Sequence, residues 1–172
     1  YAKELLNADE QAVTLMNVAF TVGIGIGSLL CERYSRGRIE LGLVPIGCLG
    51  MSIFAADFWL VGTPVSAPAV LTLKTLLMHP PALRAFVDLA LIGAFGAIFI
   101  VPLYAALQAR VATAHCARVI AALNVTNAVF MVLSAAFTIV LFRFHVTIPA
   151  IFATVAVLNI MAMVAATTAL PE

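Results

Sequence analysis

The sequence predicts an all-α fold, a polytopic bundle of about five membrane-spanning helices. Of the 172 residues, 64% are hydrophobic and 10% are charged, and the mean hydropathy is +1.14. Soluble domains of average composition have about 45–50% apolar and about 25% charged residues. A soluble protein of this size would expose too much surface to water for so few charges. Surface that faces lipid accounts for the apolar excess.

Five apolar runs are long enough to cross a bilayer, which requires about 20 residues in a helix. The predicted spans are residues 11–30, 41–60, 85–107, 119–142 and 147–169. Charged residues concentrate in the connections, and residues 1–172 are expected to be part of one transmembrane domain. The longest connection is punctuated by prolines, and its centre, residues 69–77, predicts a short helix at the membrane surface.

Charge and cysteine content exclude several classes of function. A net charge of +1 and a pI near 8.0 provide no basic face, so we predict no nucleic-acid partner. The three cysteines lack CxxC spacing and the three histidines are isolated, which predicts neither a disulfide framework nor a metal site. The expectation is a membrane protein that uses no metal and no cofactor.

The stretch GIGIGSLLCERYSRGR, residues 23–38, combines alternating glycines with a group of arginines. A dinucleotide-binding loop requires G-x-G-x-x-G, but Ser28 or Leu30 occupies the position of the third glycine. A phosphate-binding loop would end in Gly-Lys-Ser/Thr, which is absent from the stretch. Gly23 and Gly27 instead form a G-x-x-x-G pair on one helix face, which allows close packing in lipid.

Arginine and lysine in the connections predict the orientation of the helices. One side of the membrane receives Arg33, Arg36, Arg38, Arg110 and Arg118, and the other receives Lys3, Lys74, Arg84 and Arg143. Three arginines within residues 33–38 make the first side the predicted cytoplasmic side.

Two predicted spans carry polar side chains at helical spacing, so that each set lies on one stripe of its helix. The candidate path-lining residues are Asn17, Thr21, Asn124, Asn127, Met131 and Ser134. One interpretation is that these stripes line a central path and bind a polar head group. The other is that they form hydrogen bonds between helices, each contributing about 0.6–2 kcal/mol.

Charged side chains near the spans are further candidates, because a charge at the bilayer centre is costly. Asp88, one turn into the third span, is the candidate for proton coupling, whereas Asp57 is expected at a solvated helix end. Glu32, Arg33 and Arg118 are candidates for a gate on the cytoplasmic side, with Glu32 pairing with Arg118 in one state. The alternative is that these arginines only anchor helix ends at the membrane surface.

The residues do not predict an enzyme. The H-x-x-x-x-D pair of membrane acyltransferases requires an aspartate five positions after a histidine. His79, His115 and His145 are not followed by aspartate at that distance. No catalytic residue is therefore assigned to this segment.

The motif GSLLCERYSRGR resembles the cytoplasmic motif of the major facilitator superfamily: a glycine, an acid–arginine pair and a Gly-Arg end between paired helices. A closer resemblance is to the lysophospholipid-transporter branch, which includes members fused to acyltransferase and acyl-ligase domains. It rests on VGIGIGSLLCERYSRGRIELGLVPIG, VPLYAALQAR, ARVIAALNVTNAVFMV and the closing LPE.

The resemblance implies a twelve-helix transporter of inverted three-helix repeats, in which this chain supplies helices eight to twelve. It further implies alternating-access transport of lysophospholipid in the bacterial inner membrane. Its expected partners are membrane lipids and the first half of the same transporter, and the resemblance allows for a fused acyltransferase domain after residue 172. The alternatives are a facilitator for a drug or sugar, or a passive membrane anchor for the fused enzyme.

Overall fold

The computed structural model describes residues 9–35, 38–61 and 78–169, and these residues form five α-helices without any strand. The helices are α1 (Glu10–Ser35), α2 (Leu43–Val61), α3 (Pro80–Ala109), α4 (Thr113–Arg143) and α5 (Ile148–Ala169). Each contains a segment long and apolar enough to cross a membrane. The predicted all-α fold with five helices of membrane-spanning length is confirmed for this part of the chain. The surface helix predicted at residues 69–77 lies outside the described residues.

Residues at the ends of α3 and α4 explain why these helices extend beyond the spans that hydropathy predicts. α3 begins at Pro80, because prolines in the first turn have a suitable φ and need no N–H partner. α4 ends at Arg143, and His145 then adopts a left-handed φ of 56°. The N–H of Val146 donates to the carbonyl oxygen of Leu141 at 3.1 Å, which closes the turn that leads into α5.

The helices alternate in direction, so the two ends of the bundle differ in charge. Ala12 early in α1, Phe58 late in α2 and Ala82 early in α3 share one buried cluster. We call that end the carboxylate end, because α2 and α3 place Asp57 and Asp88 towards it. The other is the arginine end, which carries Arg33, Arg38, Arg110 and Arg118. Of the described arginines, only Arg84 and Arg143 lie at the carboxylate end.

α3 is the central helix of the bundle, and glycines let α1 approach it closely. The buried face of α1 is a stripe of Ala12, Met16, Ala19, Gly23, Gly27 and Cys31. A Cβ on Gly23 would overlap the carbonyl oxygen of Ala90, and one on Gly27 would overlap that of Ala94. A Cβ on Gly93 of α3 would in turn overlap the backbone of α1. The two backbones are therefore in direct contact, as small residues at membrane helix interfaces permit.

α2 packs against both α3 and α5 through aromatic side chains. The rings of Phe54 and Phe95 stack with their centroids 5.6 Å apart. The rings of Phe58 and Phe152 meet at a tilt, with centroids 4.4 Å apart. These contacts place α2 between α3 and α5 in the described bundle.

α4 stands apart from the other described helices. None of its described side chains is buried, and Met131 exposes 71% of its surface. It makes no extensive contact with another helix in the described ranges. A hydrogen bond from Asn127 Nδ2 to the hydroxyl of Tyr104, 2.8 Å long, connects it to α3. The remaining surface of α4 is available to lipid or to further protein.

Substitution of Gly27 by alanine is expected to destabilise the protein. The new Cβ meets the backbone of Ala94, which cannot move aside without separating α1 from α3. Overpacking of this kind costs about 1–3 kcal/mol. A lower melting temperature of the purified full-length protein in detergent would show the effect.

Gly25→Ala is the matched control, because nothing lies within 4 Å of a Cβ at that position. Its expected effect is neutral or stabilising by about 0.5–1 kcal/mol, since alanine favours a helix over glycine. Equal destabilisation by the two substitutions would contradict the packing described for α1 and α3.

Candidate functional site

The polar stripe of α1 lies on an exposed face. Asn17 and Thr21 are both exposed, and the Thr21 hydroxyl donates to the carbonyl oxygen of Asn17 at 3.0 Å. That bond satisfies the hydroxyl hydrogen within the helix. The side-chain amide of Asn17 makes no hydrogen bond to any described residue, so it is available to a group outside this part of the chain.

The polar stripe of α4 is also exposed over Asn124, Asn127, Met131 and Ser134. Ser134 donates to the carbonyl oxygen of Met131 at 2.9 Å, within its own helix. Asn127 is held by Tyr104 of α3. The side-chain amide of Asn124 has no hydrogen-bond partner in the described ranges. Tyr104 therefore orients the amide of Asn127, whereas the amide of Asn124 can still bind another group.

The structure does not bring the two stripes together. α1 packs against α3, and no extensive contact joins α1 to α4 in the described chain. A path lined by both helices therefore requires surfaces beyond those described. Each stripe remains a candidate by itself.

The gate candidates lie at the arginine end. Glu32 and Arg33 occupy the last turns of α1, and Arg118 lies near the start of α4; all three are exposed. Glu32 and Arg118 form no ion pair with each other in this structure. Their contact is thus not a feature of the described conformation.

Asp57 forms an ion pair that the sequence analysis missed. Its carboxylate accepts a hydrogen bond from Arg84 Nε at 2.8 Å through Oδ2, and a second from Arg84 Nη2 through Oδ1. The pair joins the last turns of α2 to the first turns of α3. Asp57 was expected to be solvated at a helix end, but its side chain is only 25% exposed and is held in this bidentate contact.

Asp88 lies beside this ion pair and is buried, with 3% of its surface exposed. It interacts electrostatically with Asp57 and with Arg84. Its Oδ2 atom is buried and accepts no hydrogen bond from the described residues. Two carboxyl groups and one guanidinium therefore meet at the carboxylate end, and one proton would balance their charge.

A second polar contact joins α2 to α5 at the middle of the bundle. Asn159 Nδ2 donates to the carbonyl oxygen of Cys48 at 3.0 Å and to the hydroxyl of Ser52 at 2.9 Å. The thiol of Cys48 donates to the carbonyl oxygen of Asn159 at 3.4 Å. We call these three residues the amide clamp, because they connect the two helices by reciprocal bonds. Spacing along the chain offers no signal for it, since Asn159 forms no stripe of polar residues at helical spacing in its span.

The described residues offer no group of three His, Cys, Asp or Glu side chains that could hold a metal ion. Cys31 and Cys48 are buried free thiols, and Cys116 is a partly buried one. The chemistry available among the described side chains is hydrogen bonding, ion pairing and proton binding.

Comparison with protein-family models, with curated proteins and with solved structures gives no match to this chain. Its function is therefore argued from the geometry above and from the motifs of the sequence.

Arg84→Gln is expected to lower the melting temperature of the full-length protein in detergent. Without the guanidinium, no positive charge compensates Asp57 and Asp88. Removing one partner of an ion pair destabilises the folded state most where the remaining charge is buried. Addition of Asp57→Asn to the same chain should restore part of the loss.

Arg143→Gln serves as the control, because Arg143 is an exposed arginine at the same end of the bundle and forms no ion pair with the described residues. Its melting temperature should match that of the wild type. A wild-type melting temperature for Arg84→Gln would show that the ion pair does not stabilise the fold.

Proposed function

We propose that this chain is part of the C-terminal half of a facilitator-type transporter. In this proposal it moves lysophospholipid across the bacterial inner membrane by alternating access, for re-acylation. Five membrane-length helices and the motif at the end of α1 support it. Glu32 and Arg33 lie in the last turn of α1, and Arg38 precedes α2, as the resemblance expects for a motif between paired helices. The first half of the transporter would complete the path.

The observation that carries the proposal is the exposed amide pair on α4. Asn124 and Asn127 lie one turn apart on a membrane-length helix with no buried side chain among those described. Uncompensated polar groups are unfavourable against lipid tails, so such a stripe must face a water-filled path or another helix. The bond from Asn127 to Tyr104 sets the direction of one amide.

An amphipathic substrate suits this face of α4. Phe130 and Met131 are 65% and 71% exposed and adjoin the amide pair, and Phe137 follows one to two turns later. The amides would bind the polar head group while the apolar side chains contact the acyl chain. The stripe contains no charged residue, which suits the passage of an acyl chain.

The gate is part of the same proposal. Glu32 and Arg118 would pair in the alternate state, in which the arginine end closes. An anion near the start of a helix is favoured by about 0.3–2 kcal/mol, which is enough to bias a rocking equilibrium.

Asn124→Ala/Asn127→Ala in the full-length transporter is expected to slow lysophospholipid flipping about tenfold or more. Hydrogen bonds to a charged group contribute about 1.5–3 kcal/mol. Each 1.4 kcal/mol of lost stabilisation in the transition state lowers the rate about tenfold. The measurement is inward movement of labelled lysophosphatidylethanolamine in liposomes.

Thr126→Val is the matched control, because Thr126 is exposed on the same turn of α4 but points away from the stripe and bonds to the carbonyl oxygen of Ala122 at 2.9 Å. Its flipping rate should equal that of the wild type. Unchanged flipping by the double variant would assign the asparagines to packing. No flipping by the wild type would refute lipid transport and favour another facilitator substrate or a passive anchor.

We further propose that Asp88 binds the proton that couples transport to a pH gradient. Its support is the buried carboxylate with an unbonded oxygen, beside the Asp57–Arg84 ion pair. Acidic side chains within membrane-spanning helices mark proton relays in pumps and transporters.

Asp88→Asn is expected to abolish the acceleration of flipping by an imposed pH gradient while flipping without a gradient persists. The amide is similar in size but cannot exchange a proton. Glu10→Gln, an exposed acid at the same end, should keep the full response. An undiminished gradient response in Asp88→Asn would remove Asp88 from the coupling.

A further inference from the structure

A cavity of about 600 Å³ opens between α2, α3 and α5 at the arginine end. Its volume lies within the range of about 300–1,000 Å³ that is typical of ligand sites. Apolar side chains form most of its wall, with Val44 from α2, Phe99 and Leu103 from α3, and Met163 from α5. None of its lining residues belongs to α1 or α4, so it is separate from both polar stripes.

The inner part of the cavity provides few free hydrogen-bond donors. Asn159 and Cys48 are its polar lining residues there, and both belong to the amide clamp. The amide nitrogen of Asn159 already donates to Cys48 and to Ser52, and the Cys48 thiol donates back. Since the rest of the wall there is apolar, an apolar group suits this part of the cavity best.

The mouth of the cavity has the opposite character. Arg110, the residue that caps the end of α3, is the one charged residue among those that line the cavity. It is exposed and forms no ion pair with the described residues. A guanidinium presents five N–H donors in a planar fork that suits phosphate oxygens. The cavity thus pairs an apolar interior with a cationic entrance.

The lining residues of α3 extend along the helix by a distance similar to the thickness of one bilayer leaflet. Arg110 follows Phe99 by eleven positions, which corresponds to about 16 Å along the axis of α3. The hydrocarbon core of a bilayer is about 30 Å thick, so one leaflet contributes about 15 Å. The distance from Arg110 to Phe99 is therefore similar to the thickness that one acyl chain spans in a leaflet.

We infer that this cavity binds an anionic phospholipid of the leaflet at the arginine end. One acyl chain occupies the apolar interior, and the phosphate group lies against Arg110. The charge of Arg110 selects an anionic head group, while the single slot between α2, α3 and α5 accepts one chain. This lipid binds on a face distinct from the proposed transport path, so the inference does not depend on the proposed function.

Lipid binding to the purified full-length protein tests the inference. Native mass spectrometry would measure the affinities of phosphatidylglycerol and of phosphatidylcholine with the same acyl chains. The wild type should prefer phosphatidylglycerol. Arg110→Gln should weaken phosphatidylglycerol binding about tenfold, as expected for loss of a charge-assisted hydrogen bond. It should weaken phosphatidylcholine binding less, because the choline cation offsets the charge of that phosphate, so the preference for phosphatidylglycerol should be lost.

Substitutions that fill the cavity should weaken the binding of both lipids. Ala162→Trp places a large ring from α5 into the space, and Ala106→Phe does the same from α3; circular dichroism would establish that each is folded. Arg118→Gln is the control, because Arg118 is an exposed arginine at the same end but does not line the cavity. It should keep the wild-type preference.

Three results would overturn the inference. The first is a wild-type protein that shows no preference for phosphatidylglycerol. The second is an equal loss of affinity in Arg118→Gln and Arg110→Gln, which would indicate diffuse attraction to the arginine end. The third is undiminished binding by folded variants with a filled cavity, which would place the lipid elsewhere.

Discussion

The bundle depends on how closely the backbones of α1 and α3 approach each other. Lipid tails are as apolar as the side chains of the helices, so burial of apolar surface provides little drive for two membrane helices to associate. Close van der Waals contact and hydrogen bonds must do so instead. Gly23, Gly27 and Gly93 permit that contact at the interface, because a Cβ at any of them would overlap the backbone of the opposing helix. α3 can then serve as the common partner of α1 and α2.

With the helices held in this way, polar groups divide into two kinds of environment. Some are satisfied between helices: Asn159 connects α5 to α2, and Arg84 of α3 pairs with Asp57 of α2. Others are exposed on a surface that no described helix covers, such as Asn124 on α4. The first kind stabilises the described bundle, whereas the second kind requires water, substrate or another helix, because lipid offers no hydrogen-bond partner.

Two surfaces of the bundle are suited to lipid, and their chemistry differs. The face of α4 places neutral amides beside exposed aromatic and thioether side chains, which suits a substrate that must bind and leave. The cavity between α2, α3 and α5 has a closed apolar interior and a single guanidinium, Arg110, at its entrance. A charged contact of that kind suits a lipid that stays bound. In the two proposals, one protein would contact lipid in two roles without the two sites sharing a residue.

The sequence by itself determined the fold class, the number of spans and the closely packing glycine pair. Hydropathy is a sum over a local window, and a bilayer requires each crossing segment to satisfy its own backbone hydrogen bonds. Helix formation and span length are thus decided by consecutive residues. The exposed stripes of α1 and α4 were also predictable, since helical periodicity places Asn17 with Thr21 and Asn124 with Asn127.

Only the tertiary structure decided which side chains meet. The partners of Asp57 and Asn159 lie 27 and 111 positions away, at Arg84 and Cys48. Such contacts depend on the rotation and tilt of each helix, which are set by packing between helices rather than by hydropathy. The cavity has the same origin, because its lining comes from three helices that are distant in sequence. Local residues specify the helices, and the shapes of their faces specify the sites between them.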